Sequence, residues 1–317
     1  MGADDGFLVG GAAYGEAASV VLDVCIKPMP KLCTLVAYYP DVLPAPAAGY
    51  PPSLNVVVHL AGAQPVTQTC KSYSYPEAEP GFAEVDLEDY DKVAAGLAWT
   101  RTLAAVRKGF EIEVDLERVW EEHVACGFCV GAFLVPFGIV ERANEYPRIV
   151  EFAQKNADAT MATMVSEPYV NHIPTLTGGI GYKDLHRFYK DYFIPGNPPS
   201  LKMRLISRTV GTDRVVDEMH VYFRHTQEVP WMLPGIAPTH KEVEVALVAI
   251  VCIRGGKLYH EHIYWDQASV LVQVGLLDPK LATNGKAPIR LPVVDGNGAR
   301  KILDEKGVRS NELIKGW

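Results

Sequence analysis

Lys257-Leu258-Tyr259-His260-Glu261-His262-Ile263-Tyr264-Trp265-Asp266 is the stretch on which the fold turns. It follows Arg254-Gly255-Gly256, a hairpin signal, and is rich in aromatic residues, so it predicts a strand over Lys257–Trp265. Side chains alternate across a strand. His260, His262 and Tyr264 therefore share one face, which Asp266 continues at the strand end. Tyr259, Glu261, Ile263 and Trp265 share the other. Four polar groups on one face beside apolar strands are costly unless they line a wet cavity or pair with one another. One reading makes the polar face the lining of a cavity. The other reading makes it the solvent side of an open antiparallel sheet.

The segments around this strand follow the same grammar. Arg214–Thr226 alternates Glu218, His220, Tyr222 and Arg224 against Val215, Met219, Val221 and Phe223. Lys202–Val210 and Lys241–Ile253 complete a set of long strands, with breaks at Gly211-Thr212-Asp213 and Leu233-Pro234-Gly235. Helical spacing appears in Leu116, Val119, Trp120, His123 and Val124, in Phe152–Val165, in Lys183–Phe193 and in Asp266–Leu277. Helices followed by long antiparallel strands predict an α+β domain, with helices on one face of a curved sheet, over residues 111–282. The apolar stretch Gly127–Val150 interrupts the helical region and reads as an insertion. Residues 283–317 read as a polar tail. Residues 1–110 read instead as alternating strands and helices. Leu35–Tyr39 and Leu54–His59 look like buried parallel strands, and Asp86–Lys108, with Val93, Leu97, Leu103 and Val106, like a helix covering them.

Composition narrows the function classes. The chain has 317 residues, 48% of them apolar, and 30 basic against 38 acidic residues for a net charge of −8. A phosphate-backbone binder needs clustered Lys and Arg, so nucleic acid is not an expected partner. The acidic start MGADDGF has no basic n-region, and the most apolar stretch, Cys129–Val140, is short of the roughly 20 residues of a span, so no membrane partner is expected. Six cysteines are too sparse for a disulfide scaffold, which fits a cytoplasmic location. Cys126-Gly127-Phe128-Cys129 has no second pair to complete a zinc site. No phosphate-binding or dinucleotide motif is present, so no cofactor is expected. His260-x-His262 lacks a third ligand at recognisable spacing, so no metal is expected either. Seven of the nine histidines lie between His172 and His262.

Residues 116–276 resemble the SnoaL-like polyketide cyclases of the NTF2-like (ketosteroid-isomerase-like) superfamily. The resemblance rests on Tyr169-Val170-Asn171-His172 before a glycine turn and on Asp213-Arg214-Val215-Val216 opening a strand. Leu233-Pro234-Gly235-Ile236-Ala237-Pro238-Thr239, Gly256–His262 leading to Trp265-Asp266, and Leu271-Val272-Gln273-Val274-Gly275 complete it. It implies a cone-shaped fold holding a small hydrophobic substrate, with the strand-end Asp266 as catalytic acid/base. His262 and His260 would then hold or share the proton, with Glu218 as a second base. Tyr169, His172, His220, Tyr222, Trp231 and Tyr264 would contact the substrate. The expected activity is cofactor-independent cyclisation or isomerisation through an enolate, in secondary metabolism, by a homodimer. Epoxide hydrolysis or dehydration in the same cavity, and a non-catalytic binding or scaffold role, are the alternatives. An arginine often found on the earlier strand is Glu218 here, which argues against an Asp–Arg–Asp water-activating site.

Residues 6–110 resemble part of dienelactone hydrolase, an α/β-hydrolase. Gly6-Phe7-Leu8-Val9-Gly10-Gly11 matches the nucleophile turn with Leu8 in place of cysteine, and Tyr75-Pro76-Glu77-Ala78-Glu79-Pro80-Gly81-Phe82 matches the histidine context with Pro80 in place of the base. Neither replacement can attack or accept a proton. A partial α/β-hydrolase-like region without its triad is therefore expected ahead of the cone.

Overall fold

The computed structural model describes residues 7–44, 49–66, 69–127, 156–283 and 286–317. The chain divides into two units, Met1–Val114 and Asp115–Trp317.

The first unit is built on a parallel sheet in the order β1 (Val9–Tyr14), β2 (Leu32–Tyr38), β3 (Asn55–Ala61), β4 (Lys71–Tyr75). Strands β2 and β3 are buried almost throughout, as their continuous apolar runs require. Helix α1 (Gly15–Val24) covers one face and α2 (Lys92–Phe110) the other. Asp91 starts α2 by accepting the N–H groups of Val93 and Ala94, both at 2.8 Å. Spacing predicts that α2 buries Val93 and Leu97. Instead both are exposed, and Ala94, Ala98 and Ala105 face the sheet. The reason is close approach. A Cβ on Gly109 would stand 2.7 Å from the Thr34 side chain, so only small residues fit along this contact.

The nucleophile turn expected at residues 6–11 does not form where it was placed. Leu8 is exposed and precedes β1, Gly10 and Gly11 lie inside that strand, and the chain enters α1 only at Tyr14-Gly15, where Gly15 takes φ 53°. His59 is fully buried, with its ring nitrogens bonded to the Tyr75 hydroxyl at 2.8 Å and the Thr102 hydroxyl at 2.9 Å. This satisfied histidine fastens β3 to β4 and α2.

The second unit contains α3 (Leu116–Gly127), α4 (Ala157–Ala162), β5 (Met164–His172), β6 (Thr177–Ile180) and α5 (Gly181–Arg187), which runs into a π-helical turn, Phe188–Phe193. Strands β7 (Lys202–Val210), β8 (Arg214–Arg224), β9 (Glu242–Arg254) and β10 (Lys257–Trp265) follow. Helix α6 (Gln267–Val274), the ribbon β11 (Lys280–Thr283) and β12 (Lys286–Arg290), and α7 (Asn297–Leu303) close the chain. The main sheet has the order β6-β5-β10-β9-β8-β7. Only the β5–β10 pair is parallel. The result is a mixed α/β unit whose four long strands fall within a residue or two of the predicted ones.

Three local features depart from expectation. Helix α4 ends at Ala162, and β5 begins at Met164, inside the segment predicted as helix to Val165. The glycines of the expected turn form strand β6. A Cβ on Gly178 would meet the Val170 carbonyl oxygen at 2.1 Å, so the β5–β6 pairing needs glycine there. The C-terminal residues are not a free tail: α7 packs on β8 and β9, buries Ala299, and sets the Arg300 guanidinium on both Glu244 carboxylate oxygens at 3.1 Å. The insertion predicted at 127–150 lies, apart from Gly127, outside the described residues, as does Cys129.

Candidate functional site

Packing decides which face of each strand is inside. On β10 the buried side chains are Leu258, Glu261, Ile263 and Trp265; on β8 they are Val215, Asp217, Met219, Val221 and Phe223. Helix α3 lies across this face. Each strand thus turns one carboxylate into an otherwise apolar layer. In register, Asp217 pairs with Ala249 and Glu261 with Val251 on the intervening β9, so the two carboxylates approach from either side of that strand, two residues out of line, with backbones roughly 12 Å apart. The small Ala249 leaves room between them. The cavity that results holds about 750 Å³ of empty space including its open mouth.

The polar groups lining the cavity are Asp217, Glu261, His123, His172 and the Tyr189 hydroxyl, set among Phe193, Met203, Met219, Leu247 and the indoles of Trp120 and Trp231. The π-helical turn brings Tyr189 and Phe193 to the same wall.

Asp217 is locked in an ion pair. The Arg208 guanidinium, with 7% of its side chain exposed, donates Nε–H to Oδ1 at 2.7 Å and Nη2–H to Oδ2 at 2.9 Å. Trp120 Nε1–H donates to Oδ2 at 2.7 Å. The remaining Arg208 donor reaches Glu117 at 2.8 Å and Glu121 at 3.0 Å on α3. A bidentate, charge-assisted pair of this kind is geometrically demanding and locks both partners.

Glu261 is the opposite case. It is buried, and among the described residues no hydrogen bond or ion pair reaches its carboxyl. Burial, and secondarily the negative charge of Asp217, push its pKa up to about 8. At neutral pH it is a carboxylic acid, a donor in an apolar room.

Both cavity histidines are neutral, because burial lowers each pKa to about 4. His172 Nδ1 lies 3.1 Å from the Thr177 carbonyl oxygen. Its ring sits between Phe193, Trp231 and Trp265, with centroids at 5.7, 5.2 and 5.8 Å. Trp231 is itself held, donating to Asn197 Oδ1 at 2.9 Å while its carbonyl accepts the Thr175 and Thr177 hydroxyls.

Of the residues expected from sequence, the cavity takes His172 and Trp231 only. The face carrying His260, His262 and Tyr264 points the other way. His262 meets Tyr169 edge-on at 5.2 Å on that outer side. Glu218 accepts the Ser207 hydroxyl at 2.9 Å, His220 stands 3.5 Å from Glu244, and Tyr222 shares their face. Asp266 is exposed and caps α6, accepting the Ala268 N–H at 3.0 Å. The solvent-side reading of the polar face is thus the one that fits. A cavity lined by that face would have required Ile263 and Trp265 to face water. The expected Tyr259–Glu261 alternation also breaks, because a bulge between Leu258 and His260 turns Leu258 inward and leaves Tyr259 under the Arg254 guanidinium at 4.2 Å. Glu261, Asp217, Tyr189, His123 and Trp120 were not singled out from sequence. The available signal was a single carboxylate on each apolar strand face.

Among the described residues, no cluster of three or more His, Cys, Asp or Glu side chains is arranged for a metal, and no helix is long and apolar enough to cross a membrane.

Residues 146–261 match the family model of the SnoaL-like domain. A search of the curated proteins finds no match. Solved structures similar to this chain include TsrD from Streptomyces laurentii, at 16% identity and a TM-score of 0.30, covering 45% of this chain and 100% of that one. A protein with a ketosteroid isomerase-like fold from Catenulispora acidiphila DSM 44928 matches at 13% identity and a TM-score of 0.30, covering 44% and 95%. An NTF2-like protein from Cytophaga hutchinsonii ATCC 33406 matches at 14% identity and a TM-score of 0.28, covering 39% and 96%. The resemblance of the first unit to dienelactone hydrolases finds no support, since the matched domain lies wholly in the second unit. The match to the SnoaL-like domain thus covers residues 146–261, within the second unit.

Proposed function

We propose that the second unit is a cofactor-independent acid–base enzyme acting on a small, uncharged, largely apolar molecule with a carbonyl group. The reaction class is isomerisation or cyclisation through an enol, as on a polyketide-type intermediate. The observation that carries this reading is Glu261, a carboxyl held undissociated near neutral pH in an apolar cavity. Such a group serves proton transfer best when its pKa lies near the working pH. The neighbouring ion pair of Asp217 with Arg208 supplies a fixed field, and the SnoaL-like match supports the same class.

Hydrolysis by a carboxylate-activated water fits less well. Both Asp217 oxygens already accept hydrogen bonds from Arg208 and Trp120, so the carboxylate is poorly placed to orient a water.

A panel of enolisable ketones incubated with the full chain in D2O tests the reading by mass spectrometry. The protein is expected to catalyse deuterium uptake next to the carbonyl. Glu261→Gln is expected to lose about a hundredfold or more, the usual scale of a general acid–base contribution. Asp266→Asn, altering only a helix cap, is expected to keep its rate. Full activity in Glu261→Gln overturns the assignment.

A further inference from the structure

We infer that His172, through Nε2, is the proton acceptor that works against Glu261, which enters the reaction as the proton donor. The usual division of labour between carboxylate and imidazole is exchanged in this cavity. This inference rests on the acid–base function proposed above and adds a second catalytic group to it.

Hydrogen bonding fixes the tautomer. The Thr177 carbonyl has no hydrogen to give, so Nδ1 of His172 must be the donor at 3.1 Å. A neutral ring protonated at Nδ1 carries its lone pair on Nε2. Thr177 is itself anchored, its hydroxyl donating to the Trp231 carbonyl at 3.0 Å. The aromatic rings around His172 leave the imidazole little freedom to turn.

Register supplies the proximity. On the parallel pair β5–β10, Val170 lies beside Glu261 and His172 beside Ile263. His172 and Glu261 are therefore diagonal neighbours on the inner face of adjacent strands, a distance that long side chains span. His123 also carries its lone pair on Nε2, since the Thr163 hydroxyl gives its hydrogen to the Thr160 carbonyl and must accept from Nδ1. His123, however, comes from α3 rather than from the strand beside Glu261, and its ring stacks on Trp120.

The other charged or titratable groups facing Glu261 are few. Asp217 comes from β8 with Arg208 behind it, Tyr189 from the π-helical turn, and His123 from α3. Strands β7 and β9 contribute Met203, Leu205, Leu247 and Ala249.

The step balances as follows. His172 Nε2 takes the proton from the carbon next to the carbonyl, and the C–H electron pair becomes the enol double bond. The carbonyl oxygen takes the Glu261 proton as its π pair becomes an O–H bond. An imidazolium and a carboxylate then face each other across a neutral enol. In the return step the carboxylate recovers the enol proton, and the imidazolium delivers its proton to the original or a conjugated carbon.

Deuterium exchange into cyclohexanone by the full chain, followed from pH 5 to pH 10, tests this. Exchanged roles predict a level rate that falls above about pH 8 as Glu261 ionises. His172→Gln is expected to lose about a hundredfold, and Asp266→Asn, at an exposed helix cap outside the cavity, to stay within a few-fold. A rate that climbs through pH 8, survives His172→Gln and disappears in Glu261→Gln overturns the exchange of roles. It leaves the acid–base function standing, with Glu261 as a carboxylate base. No exchange above buffer by the unaltered chain overturns both. Because His172 is buried and its variant can misfold, ¹⁵N NMR of the unaltered chain gives a second measure. At pH 7, His172 is expected as the neutral Nδ1–H tautomer; a protonated Nε2 overturns the inference.

Discussion

At the residue scale, Arg208 shows how a side chain outside the cavity governs its chemistry. It does not line the cavity, yet it holds Asp217 in place through an ion pair, and the Asp217 charge in turn helps keep the proton on Glu261. Removing one partner of a buried pair leaves an uncompensated charge, which costs about 3–5 kcal/mol. Arg208→Met is expected to lower the stability of the second unit by that amount, measured by urea denaturation. An unchanged midpoint would show that Asp217 finds another partner or takes up a proton. Asp266 illustrates the converse. Its place at a strand end marks it as a base by resemblance, but its carboxylate is spent on the first turn of α6.

At the element scale, β6 is held to β5 by a contact that only glycine permits. Gly178 has φ 132°, and a Cβ there would sit 2.1 Å from the Val170 carbonyl oxygen. Gly178→Ala is expected to separate β6 from β5, freeing Thr177 and with it the bond that orients His172. Faster amide exchange at Asn171 and His172, with a loss of several kcal/mol in stability, is the measurable result; native protection in the variant would contradict it. Strand limits were legible because Gly255-Gly256 and Gly211-Thr212-Asp213 bracket long β-branched and aromatic runs. The choice of inner face was not. Alternation separates His260, His262 and Tyr264 from Glu261, Ile263 and Trp265, but it does not say which set meets the helices. Only the greater apolar area of Ile263 and Trp265 decides that, together with a bulge at Tyr259 that no local residue pattern announced. Short β6 was hidden for a similar reason, since two glycines in a strand look like a turn.

At the scale of the whole molecule, the buried titrating groups pull stability in opposite directions along the pH axis. His123, His172 and, on the outer face, His260 titrate at about 4 in the folded chain, and the buried His59 of the first unit at about 3, all below the ordinary 6.5. As pH falls from 6.5 to 4 the unfolded chain binds protons that the folded chain refuses, so stability declines. Glu261 acts in reverse. Between its ordinary 4.5 and about 8 the folded chain keeps a proton that the unfolded chain has lost, so stability declines as pH rises. Four histidines outweigh one glutamate below pH 6.5, and Glu261 acts alone above it. Urea midpoints followed by circular dichroism are expected to peak near pH 6.5 and to drop by about 2 kcal/mol towards pH 8, at about 1.4 kcal/mol per pH unit. Glu261→Gln is expected to flatten that alkaline limb; a limb that persists in the variant would assign it elsewhere. One further consequence follows from the walls of the cavity. Trp120 and Trp231 both border the empty space, and Trp231 lies against His172. A molecule that enters lies against two indole rings, so the cavity carries a built-in optical reporter, and a shift in ultraviolet emission is expected to register its occupancy.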